Sequence, residues 1–408
     1  MLDWLIIGGG IHGTHLVLVL TQRAGVDRER LRLLDPHPAL LARWHACTAN
    51  TGMQFLRSGA VHHIDLHPEA LTRFATTPAG QPHRRFTEPY RRPGLALFNA
   101  HAAHLSNQYD LPALQIVARA HGLTRCTDGW RVETSAGSIA ARRVALAIGS
   151  AEHLHWPEWA RQLRNAGAPV QHIFAPDFCR AHLPPWKHAL VVGGGISAAQ
   201  TALALVERQP GSVTLLARHP LRVQQLDSDP GWTGPKYQAG FQQLRDYTRR
   251  RAVIRQARHR GSVPPDVAVH VRRAVKAETL RLLNAEVADA TLTADGQVQL
   301  RLTGGVGTLT SDCVILATGF DPARPGGAWL DAAIANLGLP IAPCGYPIVD
   351  PVLCWAEGLY TLGPLAELEI GPVARNITGA RQAAARICQA IDVRACRGNY
   401  RAMKGRQP

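Results

Sequence analysis

Lysine is scarce in this 408-residue sequence: only Lys187, Lys236, Lys276 and Lys404 occur, and arginine carries most of the positive charge. Acid is short as well, with 30 Asp and Glu against 45 Lys and Arg, so the formal net charge is +15. A balance of that sign raises nucleic acid or an anionic membrane as partners. The arginines are dispersed, however, with one dense run at Arg249-Arg250-Arg251. No basic strip interleaved with aromatics accompanies them, and no zinc-finger or RNA-recognition signature. Neither nucleic acid nor a membrane is therefore expected as a partner, and the charge is read as compositional bias with affinity for anionic nucleotides.

Other absences narrow the class further. No apolar run approaches the roughly 18 residues of a membrane helix. The apolar N-terminus is interrupted by Asp3 and a glycine run, and lacks a basic leader and a small-residue cleavage site. No signal peptide is expected, and a cytoplasmic location is. The eight cysteines are widely spaced with no Cys-x-x-Cys, which argues against a disulfide framework, a zinc site and a dithiol redox pair. The 19 histidines include His101-x-x-His104 and a group of His62, His63 and His67, but no acidic ligand pattern goes with them. No metal site is expected.

What the sequence does contain is one pattern written twice. Leu5 to Ile7 is a short apolar run entering a glycine turn, and His12 to Leu20 then reads as a helix. Arg30 to Leu34 is the next strand, ending in Asp35 and stopped by Pro36 and Pro38. The same order returns in VVGGGISAAQTALAL from Val191, followed by the strand VTLLARH. Each copy is followed by a meander that closes on a strand with a terminal glycine: ALAIGS, with Gly149, and ILATGF, with Gly319. The expected fold class is α/β, with two Rossmann-like dinucleotide-binding domains of three-layer ββα type. The first is expected to be discontinuous: residues 1–185 and 313–408 around a second domain at 186–312.

The glycines have distinct tasks. In Gly8-x-Gly10-x-x-Gly13 the first makes a tight turn, the second admits a pyrophosphate to the backbone, and the third lets helix pack on strand. Ile11 and His12 lie in that turn, where the helix N-terminus faces the phosphates. Asp35 ends the following strand near the spacing of about 20 residues expected of a carboxylate on ribose hydroxyls. The second copy reads Gly193-x-Gly195-Ile196-Ser197-Ala198, with alanine allowed at its third position. Its second strand ends in Arg218-His219 rather than an acid, with Arg222 following. A carboxylate would repel a 2′-phosphate, whereas a guanidinium pairs with it in two-point fashion. The first cradle therefore suits FAD and the second NADPH.

On these residues the sequence resembles the two-dinucleotide flavoproteins, and within them the NADPH-dependent lysine/ornithine N-hydroxylating flavin monooxygenases. GGGIHG at 8–13, GGGISA at 193–198 with Arg218, and Leu316-Ala317-Thr318-Gly319-Phe320 are similar to motifs shared by the whole superfamily. RWHACTANTGMQFLRS at 43–58 resembles a more specific Trp-His…Met-Gln…Phe-Leu-Lys segment. It departs in a shorter Trp-to-Met spacing and in Arg57 where lysine is usual. DSDPGWTGPK also replaces the acidic-aromatic loop of the family, so amino-acid recognition is not carried over.

The resemblance implies that Trp44, His45 and Met53 lie near the isoalloxazine, with Gln54 and Arg57 as catalytic candidates that stabilise the oxygenating intermediate and place the nicotinamide. Thr318 and Gly319 would contact cofactor. Gly363 and Gly371-Pro372 resemble a C-terminal flavin-contacting turn, where a helix over about 374–387 would aim its dipole at the flavin. The implied chemistry is reduction of FAD by NADPH, addition of O2 at flavin C4a, and oxygen transfer to a nucleophilic nitrogen or sulfur of a small molecule. Cofactor-borne chemistry also explains why no Ser/His/Asp group or carboxylate pair stands out. Two alternatives stand beside it: a reductase or oxidase passing electrons to a quinone, a redox protein or O2, and a non-catalytic flavin- or NADP-bound sensor. Oligomeric state is left open.

Overall fold

The protein is described by a computed structural model covering residues 1–150 and 152–404, with side chains to Ile391. Two largely parallel sheets organise it. In the first, the spatial order is Cys354–Ala356, Leu359–Thr361, Gly137–Leu146, Leu2–Ile7, Leu31–Asp35 and Gln115–Val117. Leu2–Ile7 is central and parallel to both neighbours, with Ile6 opposite Leu33 and Ala145. Such a strand is covered on both faces, which is why Trp4, Leu5 and Ile6 form an uninterrupted apolar run with no exposure. The hairpin Ala120–Cys126 and Gly129–Thr134 attaches antiparallel to Gly137–Leu146 and forms the meander layer. Helix Ile11–Gln22 packs against the C-terminal helix Ile377–Lys404.

The second sheet runs Leu280–Asn284, Val213–Ala217, Ala189–Val192, Cys313–Leu316 and Val170–His172, all parallel. Its meander is the three-stranded sheet Val287–Leu292, Val298–Leu302 and Thr308–Ser311. Strand, meander and helix layers thus repeat in both halves, as expected of the ββα class.

The domain boundaries move. The strand Cys313–Leu316, assigned to the C-terminal return by the 312/313 boundary, lies inside the second sheet beside Ala189–Val192. Val170–His172, assigned to the first domain by the 185/186 boundary, is the edge strand of that sheet, with Val170 opposite Val314. CVIL is fully buried and needs a parallel partner on each side. The chain instead passes between the sheets near 152–157 and returns near 317–321. These crossings are paired: the His155 N–H donates to Gly319 O at 3.0 Å, and the Asp321 N–H to His153 O at 2.7 Å.

A segment of the second half leans back on the first. The GWTGPK stretch, read as a loop, becomes the turn Pro230–Thr233 and the helix Pro235–Gln243. The arginine-rich helix Tyr247–Ala257 follows. Trp232, Phe241 and Ile254 are buried in the first domain's core cluster. Arg250 pairs with Glu369 at 2.6 Å, and Arg251 pairs with Glu367. Among the described residues no helix is long and apolar enough to cross a membrane.

Candidate functional site

The first glycine turn has the shape a pyrophosphate requires. A Cβ on Gly13 would lie 1.8 Å from Gly8 O, and one on Gly8, whose φ is +114°, would lie 2.3 Å from Ala147 O. Both positions exclude a side chain. Gly10 has no atom within 4 Å of its would-be Cβ, so its face is open to a ligand. Asp35 closes the turn from the next strand. Its Oδ2 accepts the Gly9 N–H at 2.6 Å, and its Oδ1 accepts the His37 N–H at 2.9 Å. Oδ2 keeps a lone pair for a ribose hydroxyl, whereas Oδ1 also faces His37 Nδ1 at 2.8 Å.

The other candidates of this half converge on the same turn. Ile11, Trp44, Met53 and Ile377 pack around one apolar cluster that includes Phe98 and Leu56. Trp44 Nε1 donates to Asn99 Oδ1 at 2.9 Å. His12 projects beneath Gly363, where a Cβ would touch its ring at 3.6 Å. Both His12 ring nitrogens are shielded from solvent and have no partner. Burial, with His15 adding a smaller effect, holds its pKa at about 4, so the ring is neutral. An orphaned imidazole at a helix N-terminus suits a polar cofactor edge better than a packed core. The residues present therefore fit a flavin dinucleotide.

The remaining candidates are more scattered. His45 and Gln54 are exposed, and Gln54 contributes its carbonyl to the Leu95 N–H at 2.9 Å. Gly149, with φ +66°, stands at the start of the first crossing with open space around it. Gly371, with φ +87°, packs on the Phe241 ring, 3.4 Å from where a Cβ would be. Pro372 opens a short 3-10 turn to Arg375, so the C-terminal helix begins at Ile377, later than the sequence suggests.

The second glycine turn lines a cavity of ≈ 870 Å³. Gly193, with φ +153°, approaches Ala317 O, which a Cβ would meet at 2.5 Å. Ala198 is fully buried and packs its methyl under that turn, 3.1 Å from the same point. Gly195, Ile196 and Ser197 line the cavity, as do Arg218, His219 and Arg222, with Thr318 and Gly319 at the crossing. His219 lies against Gly194, with its Nδ1 2.9 Å from Pro220 O. Among the described residues the Arg218 and Arg222 side chains make no hydrogen bond, which leaves them available to an anion.

Arg57 also lines the cavity, but its guanidinium is engaged. Nε donates to Gln225 O at 3.0 Å, and Nη2 lies within 2.9 Å of Gln224 O, Leu226 O and Ser262 Oγ. It fastens the first domain to the cavity wall. Sequence reasoning missed Arg258, Arg260 and Gly261 on that wall. Gly261 Cα is 3.4 Å from the Gly195 Cβ position, so it packs on the phosphate turn. The signal available was a glycine closing the basic stretch Arg258-His259-Arg260.

Solved structures share this arrangement along nearly the whole chain. L-lysine 6-monooxygenase from Pseudomonas syringae superposes with a TM-score of 0.71 at 18% identity, covering 96% of this chain and 99% of that one. Ornithine hydroxylase from Pseudomonas aeruginosa gives 0.70 at 19% identity, over 95% and 98%. A bacillithiol disulfide reductase from Staphylococcus aureus gives 0.62 at 16% identity, over 96% and 98%. At these identities the likeness is one of fold. No curated protein matches the sequence. Two glycine turns on two parallel sheets, joined by paired crossings, are the architecture of a two-nucleotide oxidoreductase; with its match over residues 2–385, the chain belongs to the pyridine nucleotide-disulphide oxidoreductase family.

Proposed function

We propose that the chain is an FAD-dependent, NADPH-using monooxygenase acting on a nucleophilic nitrogen or sulfur of a small molecule. NADPH, a proton, O2 and substrate become NADP⁺, water and the singly oxygenated product. The observation that carries this reading is the pair of cradles: one ends in Asp35, the other opens on a cavity whose lining residues include no cysteine. A dithiol disulfide reductase would need a pair of thiols there, and among the lining residues of a smaller adjoining hollow Cys344 stands alone. The fold likeness to two N-hydroxylating enzymes supports the same choice.

Bound FAD would supply hydride acceptance and O2 activation; the protein supplies binding, orientation and exclusion of water. Gly8, Gly10 and Gly13 hold the pyrophosphate at the helix N-terminus, and Asp35 holds the ribose. Trp44, Met53 and Ile377 wall off the ring system, while His12, neutral, offers one hydrogen bond. At the second turn Gly193 and Gly195 admit the NADPH pyrophosphate, and Arg218 with Arg222 pairs its 2′-phosphate. Arg57 keeps the cavity wall in register with the first domain.

The experiment is turnover under ¹⁸O2 with NADPH and a panel of primary amines and thioethers, read by mass spectrometry. Incorporation of one labelled atom into an amine or thioether is expected. NADPH oxidation that yields only hydrogen peroxide or a reduced acceptor would replace the reading with an oxidase or reductase. A chain whose flavin is not reduced by NADPH would be a sensor.

A further inference from the structure

We propose that Glu286 reads the base of the nicotinamide nucleotide: its carboxylate accepts the amino group of adenine, so the chain selects adenine over hypoxanthine. The inference rests on the second glycine turn as the NADPH cradle and names a base-reading residue for it.

Strand pairing places Glu286 beside Arg218. Val213–Ala217 and Leu280–Asn284 run parallel, with Ala217 opposite Asn284. The Ala285 N–H then donates to Ala217 O at 3.1 Å and closes the ladder. Arg218 and Glu286 are the next residues on these adjacent strand ends, and both line the cavity. No ion pair joins them among the described residues, so each is left for its own part of a ligand. The Glu286 main chain is held from the other side. Its N–H donates to Thr303 Oγ1 at 3.0 Å, and its carbonyl accepts the Thr303 N–H at 2.9 Å. The backbone is fixed while the carboxylate, exposed at the cavity wall, makes no hydrogen bond among the described residues.

The wall around Glu286 suits a base. Leu216, Ala285, Val287 and Trp159 belong to one apolar cluster, and all four also line the cavity. Trp159 comes from the helix Glu158–Asn165, which packs on the strand Val287–Leu292. A nucleobase has apolar faces that stack on such side chains and a polar edge that needs a partner. A 2′-phosphate held by Arg218 belongs to the adenosine half of NADPH, so the base lies one sugar away from that arginine. The other carboxylate lining the cavity, Asp227, lies towards Arg258 at 3.9 Å. Glu286 is therefore the acid left for the base edge. An ionised carboxylate only accepts hydrogen bonds. Adenine offers it the N6 amino group, a donor. Hypoxanthine carries a carbonyl oxygen at the same place, which sets acceptor against acceptor.

The test is calorimetric titration of the FAD-loaded full chain with NADP⁺, NAD⁺ and their hypoxanthine analogues, deamino-NADP⁺ and deamino-NAD⁺. The wild type should bind deamino-NADP⁺ about tenfold more weakly than NADP⁺. Glu286→Ala should bind the two alike, through weaker binding of NADP⁺ alone. Glu286→Gln should also close the gap, because an amide can donate to the hypoxanthine oxygen. Equal affinity of the wild type for NADP⁺ and deamino-NADP⁺ overturns the proposal. So does a preference that survives both substitutions, or the absence of binding by all four nucleotides. The wild-type comparison needs no variant, so a misfolded substitution leaves the test intact. If NAD⁺ binds as tightly as NADP⁺, the NADPH reading fails, and the ratio of NAD⁺ to deamino-NAD⁺ affinity still decides the role of Glu286.

Discussion

Arg92 and Asp266 form a 2.8 Å ion pair between the two halves of the molecule, and only one partner is buried: the Arg92 side chain is 2% exposed, that of Asp266 32%. Removing the acid strands a charge in the interior, whereas removing the arginine leaves a carboxylate that water can solvate. The two deletions should therefore differ. Asp266→Ala is expected to destabilise by about 3 kcal/mol, and Arg92→Met by roughly half of that. Urea unfolding of both variants measures the asymmetry. Equal losses would mean that the pair acts through packing and not through charge.

The glycine turn separates folding from cofactor binding. Gly13→Ala places a Cβ 1.8 Å from Gly8 O and should compromise the fold itself. Gly10→Ala meets no protein atom within 4 Å. It should unfold within about 1 kcal/mol of the wild type but purify with little FAD, because its methyl occupies the phosphate's place. Flavin absorbance per chain, read beside the unfolding midpoint, decides. A Gly10→Ala chain with full flavin would remove the pyrophosphate from this turn.

Nucleotide preference should follow Arg218. Arg218→Ser removes a guanidinium from the 2′-phosphate, an interaction of about 1.5–3 kcal/mol, so KM for NADPH should rise roughly 10- to 100-fold. KM for NADH should stay nearly unchanged. Steady-state kinetics with both nucleotides provide the check, and parallel changes in the two would show that Arg218 does not read the phosphate.

Arg57 is expected to act by position. Its hydrogen bonds to Gln224 O, Gln225 O, Leu226 O and Ser262 Oγ fix the strap that walls the cavity. Arg57→Lys keeps the charge but loses the fork, so KM for NADPH should rise while flavin content stays the same. A fall in kcat alone, with KM unchanged, would instead place Arg57 at the reacting atoms.

Much of this was legible in the sequence wherever one residue type alone fits the geometry. Gly8 and Gly13 exclude a Cβ, and Asp35 can reach the turn only from the end of the next strand. The repeat of that geometry at Gly193 was equally plain. The boundaries were not. Val170–His172 is a three-residue edge strand carrying Gln171 and His172, which gives no apolar run to detect. Cys313–Leu316 was visible as a strand, but its sheet is set by tertiary pairing with Ala189–Val192. Arg57 was singled out by its place in a motif, while three of its partners are backbone carbonyls about 170 residues away. Backbone acceptors carry no side-chain signature.

Acid should loosen the fold through its buried imidazoles. Burial holds His12, His15 and His63 at a pKa of about 4, against an ordinary 6.5. The unfolded chain binds those protons near pH 6.5, and the folded chain refuses them until about 4. Stability from this source is therefore complete above pH 6.5 and declines as pH falls towards 4. Each ring contributes about 2 kcal/mol of that loss by pH 5. His12 allows a clean test in the flavin-free chain, because there its ring nitrogens have no hydrogen bond to lose. His12→Phe should match the wild type near pH 7.5 and be more stable at pH 5, with both chains stripped of flavin. Urea midpoints at the two pH values measure it. Identical acid sensitivity in the two chains would show that the His12 ring titrates in contact with water.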